Sequence, residues 1–299
     1  MKKVRVAVVG YGNIGRYALE AVGTAPDMEC AGVVRRSGSA GGCRELDAYK
    51  VVSDISELGP VDVAILSVPS RRVEENALKY LSMGISTVDS FDIHSDIRKL
   101  RSVLMPVAQK NNAVSVISAG WDPGTDSVVR TLVEAMVPSG QTYTNFGPGR
   151  SMGHSVVAAS KEGVIKALSM TIPVGKGIHR REVFVELEPG TDFSTVEKAI
   201  KEDPYFCNDE TSVKQVESVD ALDTHSHGVK LERSGRSGMT DGQSVEFDMR
   251  INNPALTGQV LVAAARAAVR QRPGCYTMIE IPAIDLLPGE REELISKLV

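Results

Sequence analysis

Cysteine is scarce and unpatterned in this 299-residue chain. Cys30, Cys43, Cys207 and Cys275 form no CxxC pair, which argues against a thiolate zinc cage and against a disulfide framework. Aromatic residues make up only 5%, with a single tryptophan, Trp121, so the core has to be built mainly from Val, Ala, Ile and Leu. Long apolar runs are missing too. The run at 4–9 stops at Gly10 and is too short for a signal-peptide core or a membrane span. Nor is there an excess of positive charge: the formal net charge is −4, which leaves no basic footprint for nucleic acid and no polybasic stretch for a membrane. With 42% hydrophobic and 24% charged residues, the composition suits a globular protein of about two domains. A reducing cytoplasm is the expected setting.

What is present is an alternation of two periodicities. The run at 4–9 is nearly continuous in apolar residues, the pattern of a strand covered on both faces. Helical spacing follows at 13–22. Further strands are predicted at 30–34, 61–68, 85–88 and 113–118, with helices at 72–83 and 95–109 between the later ones. Strands alternating with helices imply a doubly wound parallel sheet. After Ser118 the pattern changes. Asp122 and Pro123 read as the N-cap and first residue of a helix through Met136. Period-two alternation at 183–187 and 245–251 then marks a sheet with one wet face, expected to be antiparallel. Weaker strand signals lie at 168–172 and 229–231, and helices at 195–201 and 254–270. The expected fold class is α/β: a Rossmann-type dinucleotide-binding domain at 1–120, with the tail 273–299 packed back on it, plus an α+β second domain at 121–272.

Gly10, Gly12 and Gly15 form GxGxxG between the first strand and the first helix. In that context the first glycine allows the tight turn, the second lets the backbone approach a pyrophosphate, and the third permits close helix packing, with the helix N-terminus facing the anion. The tip of the second strand carries Arg35, Arg36 and Ser37, where a carboxylate would bind a free ribose hydroxyl. Two cations and a hydroxyl suit a 2′-phosphate, so NADP is the expected cofactor and NAD the alternative. Ligands in such folds bind beyond the carboxyl ends of the strands. Those ends read Ser67-Val68-Pro69-Ser70, Ser90-Phe91-Asp92 and Ala119-Gly120-Trp121-Asp122. Ser70 can instead cap the helix that follows it, and Asp122 before Pro123 is a common helix cap.

In this order, VGYGNIGR, SVPSRR, DSFDIH, SAGWDPGTDS, FGPGRSMGHS, ALSMTIPVG and RINNPALTGQV resemble the motifs of the meso-diaminopimelate D-dehydrogenase family over roughly residues 5–260. The short chain with Phe146 in FGPG looks like the compact, Symbiobacterium-like branch of that family. The resemblance implies cofactor contacts at Gly10, Tyr11, Gly12, Asn13, Ile14 and Gly15, at Arg35, Arg36 and Ser37, and at Ser67, Val68, Pro69 and Ser70. It implies others at Ser90, Phe91 and Asp92 and at Ala119, Gly120, Trp121, Asp122 and Pro123. The implied substrate contacts are Asp92, Trp121, Asp122, Phe146, Met152, Gly153, Thr171, Arg181, His227 and Asn253. It also implies a homodimer, with the helix after Trp121 and part of the second domain serving an interface.

The physical reading of these residues is compatible with that set. A long diacid bearing two ammonium groups needs carboxylates at one end, Asp92 and Asp122, and cationic or amide donors at the other, with Arg181 forming a bidentate pair with a carboxylate. The implied reaction is reversible NADP-dependent oxidative deamination of meso-2,6-diaminopimelate at its D centre, releasing ammonia. Asp92 or Asp122 is the expected proton acceptor. His225 and His227 form an HxH pair but lack a third ligand, so no metal is expected. Two other readings stand beside this one. A different two-domain NADP reductase of the dihydrodipicolinate, homoserine or aspartate type is the first, although the paired-histidine helix signature of dihydrodipicolinate reductases is missing. A non-catalytic NADP(H) sensor is the second.

Overall fold

The structure, a computed structural model, describes residues 3–222 and 227–299; for Met152 and His227 the description extends to the main chain only. Two compact units result: the stretch up to Thr131 together with Pro254–Val299, and Leu132–Asn253.

The first unit holds β1 (Val4–Val9), α1 (Asn13–Thr24), β2 (Met28–Val34), β3 (Val51–Val52), β4 (Val63–Leu66), α2 (Val73–Ser82), β5 (Ser86–Asp89), α3 (Ile97–Lys110) and β6 (Val114–Val116). Helix α4 (Asp126–Met136) begins there and carries the chain into the second unit. That unit contains β7 (Ser139–Arg150), α5 (Met152–Ala159), β8 (Val164–Gly175), β9 (Ile178–Leu187), α6 (Phe193–Lys201), β10 (Glu210–Gln215), β11 (His227–Ser237) and β12 (Thr240–Ile251). The chain then returns to the first unit through α7 (Asn253–Ala268), β13 (Gly274–Tyr276) and α8 (Arg291–Leu298).

The first sheet runs β13-β6-β5-β4-β1-β2-β3 and is parallel throughout. Successive side chains of a strand point to opposite faces, and here both faces are dry. Val6, Val63, Ile65 and Val116 pack with α1 and α7 on one side. Ala7, Val9, Ala64 and Leu66 pack with α2 and α3 on the other. This explains why β1 reads as a continuous apolar run: neither face has water to meet. Strand order reverses between β1 and β4, which places the crevice beyond the tips of those two strands.

Helix α7 was expected in the second domain, and the structure places it on the first sheet. Val260, Leu261, Val262, Ala264 and Ala265 are buried there. At Gly258 a Cβ would stand 2.7 Å from the Ala18 backbone nitrogen. Small side chains let the two helices approach closely, so the expected division at 121–272 gives way to one at 132–253.

The second sheet runs β10-β9-β8-β7-β11-β12. It is antiparallel except for the β9–β10 pair, which is parallel. Val183, Val185, Val196, Ile200 and Phe206 form its core beneath α5 and α6. The strands predicted at 168–172 and 229–231 are longer than expected, and β7, β10 and α5 were not anticipated. Among the described residues no helix is long and apolar enough to cross a membrane.

Candidate active site

The glycine motif occupies the turn from β1 to α1. Gly10 has φ +90°, and a Cβ there would stand 2.4 Å from the Ser67 carbonyl oxygen, so only glycine allows the β1 and β4 tips to approach. At Gly12 a Cβ would meet nothing within 4 Å. Gly12 is also the N-cap of α1, and no acidic residue sits in the first helical turn. The amides there are directed toward an open, positive end. Ser67 Oγ is buried beside this turn without a partner among the described residues.

A cavity of about 630 Å³ opens from the turn and is lined by Gly12, Arg35, Arg36, Ser37, Pro69 and Arg72, among others. Arg35 is committed to its own loop: Nη1 donates to the Ala40 carbonyl at 2.7 Å, and the guanidinium lies 5.7 Å from the Tyr11 ring centre. Tyr11 in turn donates to Glu45 Oε2 at 2.8 Å, and burial together with that carboxylate pushes its phenol up to about 12. Arg36 and Ser37 are the exposed members of the trio. Arg72 was overlooked in the sequence, although it ends the SVPSRR motif.

At the next strand tips, Asp92 Oδ1 accepts from Ser70 Oγ at 2.6 Å. Ser70 therefore orients Asp92 and makes no side-chain cap for α2. Phe91, the residue before Asp92, is buried. Asp122 also departs from expectation. Its backbone is extended (φ −136°, ψ 119°), the turn from Trp121 to Thr125 caps on Gly120 without a side chain, and α4 starts only at Asp126. Asp122 is thus released from capping. Burial, and then the Asp126 carboxylate, hold its own carboxyl above the usual range, against opposition from His94 and Arg130. Asp126 is buried, and its Oδ2 accepts a hydrogen bond from Arg130 Nε at 2.5 Å. Trp121 is buried as well.

In the second unit, Thr171 and Arg181 are register partners on β8 and β9. Arg181 Nη1 donates to Thr171 Oγ1, and its Nε donates to Asp209 at 2.6 Å. Arg181 shares the strand phase of the buried Val183 and Val185, whereas Arg180 points the other way to Glu182. Two histidines adjoin this guanidinium. His179 Nε2 accepts from the Phe146 amide at 2.8 Å. His154 joins Ser151 Oγ at 2.8 Å to the Tyr205 carbonyl at 2.9 Å. Burial, followed by Arg181, lowers the pKa of both, so neutral rings line the charge. Gly153 lies against the Tyr205 ring, where a Cβ would stand 3.8 Å away.

The structure therefore gathers Phe146, Gly153, Thr171 and Arg181, and adds Asp209, His154 and His179, which the sequence reading missed. The strand phase of Arg181 was readable; Asp209 sits in a turn with no pattern of its own. Asn253 opens α7 with an exposed side chain. The Met152 and His227 side chains, and His225 of the HxH pair, lie outside the described residues.

Comparison with known proteins gives consistent findings. A family model described as the diaminopimelic acid dehydrogenase C-terminal domain matches residues 120–179. A meso-diaminopimelate D-dehydrogenase of Bacteroides fragilis is 63% identical over 299 residues, covering all of both chains. One from Lysinibacillus sphaericus is 36% identical, again over the whole of both. The solved Corynebacterium glutamicum DAP dehydrogenase in complex with DAP superposes with a TM-score of 0.81 at 31% identity, covering all of both chains. An engineered D-amino acid dehydrogenase bound to NADP+ gives 0.74 at 29% identity, also with full coverage of both.

Proposed function

The chain belongs to the meso-diaminopimelate D-dehydrogenase family, and from that premise we propose that it catalyses the NADP-dependent, reversible oxidative deamination of meso-2,6-diaminopimelate at its D centre. The products are L-2-amino-6-oxopimelate, which cyclises to tetrahydrodipicolinate, and ammonia. The reductive direction makes a diaminopimelate precursor of lysine in one step. The observation that carries this reading is the 63% identity over the full length of the Bacteroides enzyme, which leaves no segment of either chain unmatched.

The residues present suit NADP. The open approach at Gly12 and the buried Ser67 Oγ, which has no partner among the described residues, favour a pyrophosphate. Arg36, Ser37 and Arg72 around one cavity favour a 2′-phosphate over a bare ribose hydroxyl. When bound, the cofactor supplies a hydride acceptor. The rest falls to the protein. Asp92, oriented by Ser70, and Asp122, whose burial strengthens its hold on a proton, are the acceptors for the proton that the substrate ammonium must lose before its Cα gives up hydride. Arg181 is the group for a substrate carboxylate, with Asp209 and Thr171 fixing the plane of its fork. We place the enzyme in the cytoplasm as a homodimer.

The deciding experiment follows NADPH formation on adding the meso, LL or DD isomer to enzyme with NADP+, and repeats the meso reaction with NAD+. Reduction with the meso isomer and NADP+ alone is expected. No reduction with any isomer would overturn the reaction, and equal efficiency with NAD+ would overturn the cofactor preference.

A further inference from the structure

We propose that Asp89 is a positioning residue for the strand tips that carry Asp92 and Asp122. The inference rests on the function proposed above for what those two carboxylates do, while the tether itself stands on the geometry of the first unit. Asp89 is the last residue of β5, and its side chain is fully buried, at 0% exposure. Its Oδ1 accepts two backbone protons, from the Phe91 amide at 3.0 Å and from the Ser118 amide at 3.0 Å. Its own carbonyl accepts from the Ala119 amide at 2.7 Å. One residue thus binds the chain immediately before Asp92 to the chain that leads through Gly120 and Trp121 into Asp122.

Neither tip has a regular partner for these amides. β5 ends at Asp89 and β6 at Val116, so beyond them the ladder no longer satisfies the backbone, and a buried N–H without an acceptor is costly. Ser118 adds a second demand. Its φ of +56° lies in the left-handed region, which a serine holds only when its surroundings impose it. The Asp89 carboxylate makes that conformation productive by accepting the amide it turns inward.

A filler role does not account for this residue. Cys275, the neighbouring side chain that senses its charge, is fully buried in the apolar core on this face of the sheet, where an apolar residue would pack without desolvating a charge. Asp89 Oδ2 finds no partner among the described residues, so the carboxylate is buried at a cost that its other oxygen, with two amides, offsets.

Hydrogen exchange of the full-length protein without ligands, read with steady-state turnover, tests the proposal. In Asp89→Ala the Phe91 and Ser118 amides are expected to exchange more than about tenfold faster than in wild type while β1 and α1 keep their protection. Turnover should fall by more than about tenfold. Asp89→Asn, which keeps an acceptor oxygen in place, should hold both measurements within about fivefold of wild type. Unchanged exchange in the alanine variant, faster exchange with undiminished turnover, or an asparagine variant as impaired as alanine would each overturn the proposal. If the alanine variant does not fold, the asparagine variant decides by the same fivefold limit. If the wild type shows no turnover with meso-diaminopimelate, the functional reading fails, and exchange alone still decides whether Asp89 ties the two tips.

Discussion

Asp89, Asp92 and Asp122 belong to neighbouring strand tips of one sheet, yet their surroundings treat them differently. Asp92 is exposed and held by Ser70. Asp122 is half-buried, and its carboxyl is raised by that burial and by Asp126. Asp89 is fully buried, which pushes its carboxyl from 3.8 up to about 6 against the two amides that favour the charged form. The sign of the consequence follows from linkage. A carboxyl raised in the folded state binds its proton more tightly there than in the unfolded chain. Its contribution to stability is therefore present below the unfolded value and is lost as pH rises through the folded one, amounting to about 3 kcal/mol for a shift of this size. The titratable group facing Asp89 is Cys275 on β13, whose thiol is pushed up to about 12 and stays neutral throughout this window. Urea unfolding of wild type and Asp89→Asn at a series of pH values measures the effect. Relative to wild type, the asparagine variant should gain about 3 kcal/mol between about pH 4 and about pH 7. A difference that stays flat over that interval would show that Asp89 does not titrate there.

Contacts between whole elements explain what the sequence could and could not reveal. β1 and β4 were legible because a strand dry on both faces leaves a nearly continuous apolar run, and α1 to α4 because one wet face enforces helical spacing. β7 was not legible. Gly140, Gly147, Pro148 and Gly149 interrupt it, and it is a strand because β11 pairs with it from Ser139 to Gly149. The same limit applies to the site. GxGxxG is local and was readable, whereas Asp209 meets Arg181 across 28 residues of chain, and Ser70, a plausible cap by position, turned out to hold Asp92. Helix α7 shows the limit most plainly, since its alanines fit either domain and only packing decides. At Gly258 a Cβ would lie 2.7 Å from Ala18 N and 2.8 Å from Tyr17 C, both rigid backbone atoms of α1. Gly258→Ala should therefore destabilise the protein by about 1–2 kcal/mol, because an overpacking cost of up to about 3 kcal/mol outweighs the gain of about 1 kcal/mol in helix propensity. Urea unfolding followed by Trp121 emission measures it, and a more stable variant would show that α7 does not rest on α1 as closely as described.

The first unit is assembled from two distant stretches of chain, because it is left after Thr131 and re-entered at Pro254. Something must fasten the returning segment besides its apolar surface, and one ion pair is placed to do so. Arg266 of α7, 3% exposed, sends Nε to Asp27 Oδ2 at 2.5 Å and Nη2 to Oδ1 at 2.8 Å, while Nη1 donates to the Leu286 carbonyl at 2.9 Å. The guanidinium thus joins the residue before β2, α7 and the C-terminal tail. That hydrogen-bonded pairing lowers the Asp27 carboxyl below its usual range. Removing only the carboxylate leaves a buried charge without its counterion, so Asp27→Ala should cost about 3 kcal/mol at neutral pH, the low end for buried pairs because Asp27 retains some solvent contact. Replacing both partners with Asp27→Leu and Arg266→Met removes the stranded charge and should cost less than the single change. The pH dependence has the opposite sign to that of Asp89. A lowered carboxyl contributes stability above its unfolded value and loses it as pH falls through the folded one, so the gap between wild type and Asp27→Ala should close on acidification. Denaturant titrations of the three proteins against pH, read through Trp121, decide the matter: a single variant less than about 1 kcal/mol below wild type at neutral pH would mean that apolar packing alone returns the C-terminal segment to the sheet.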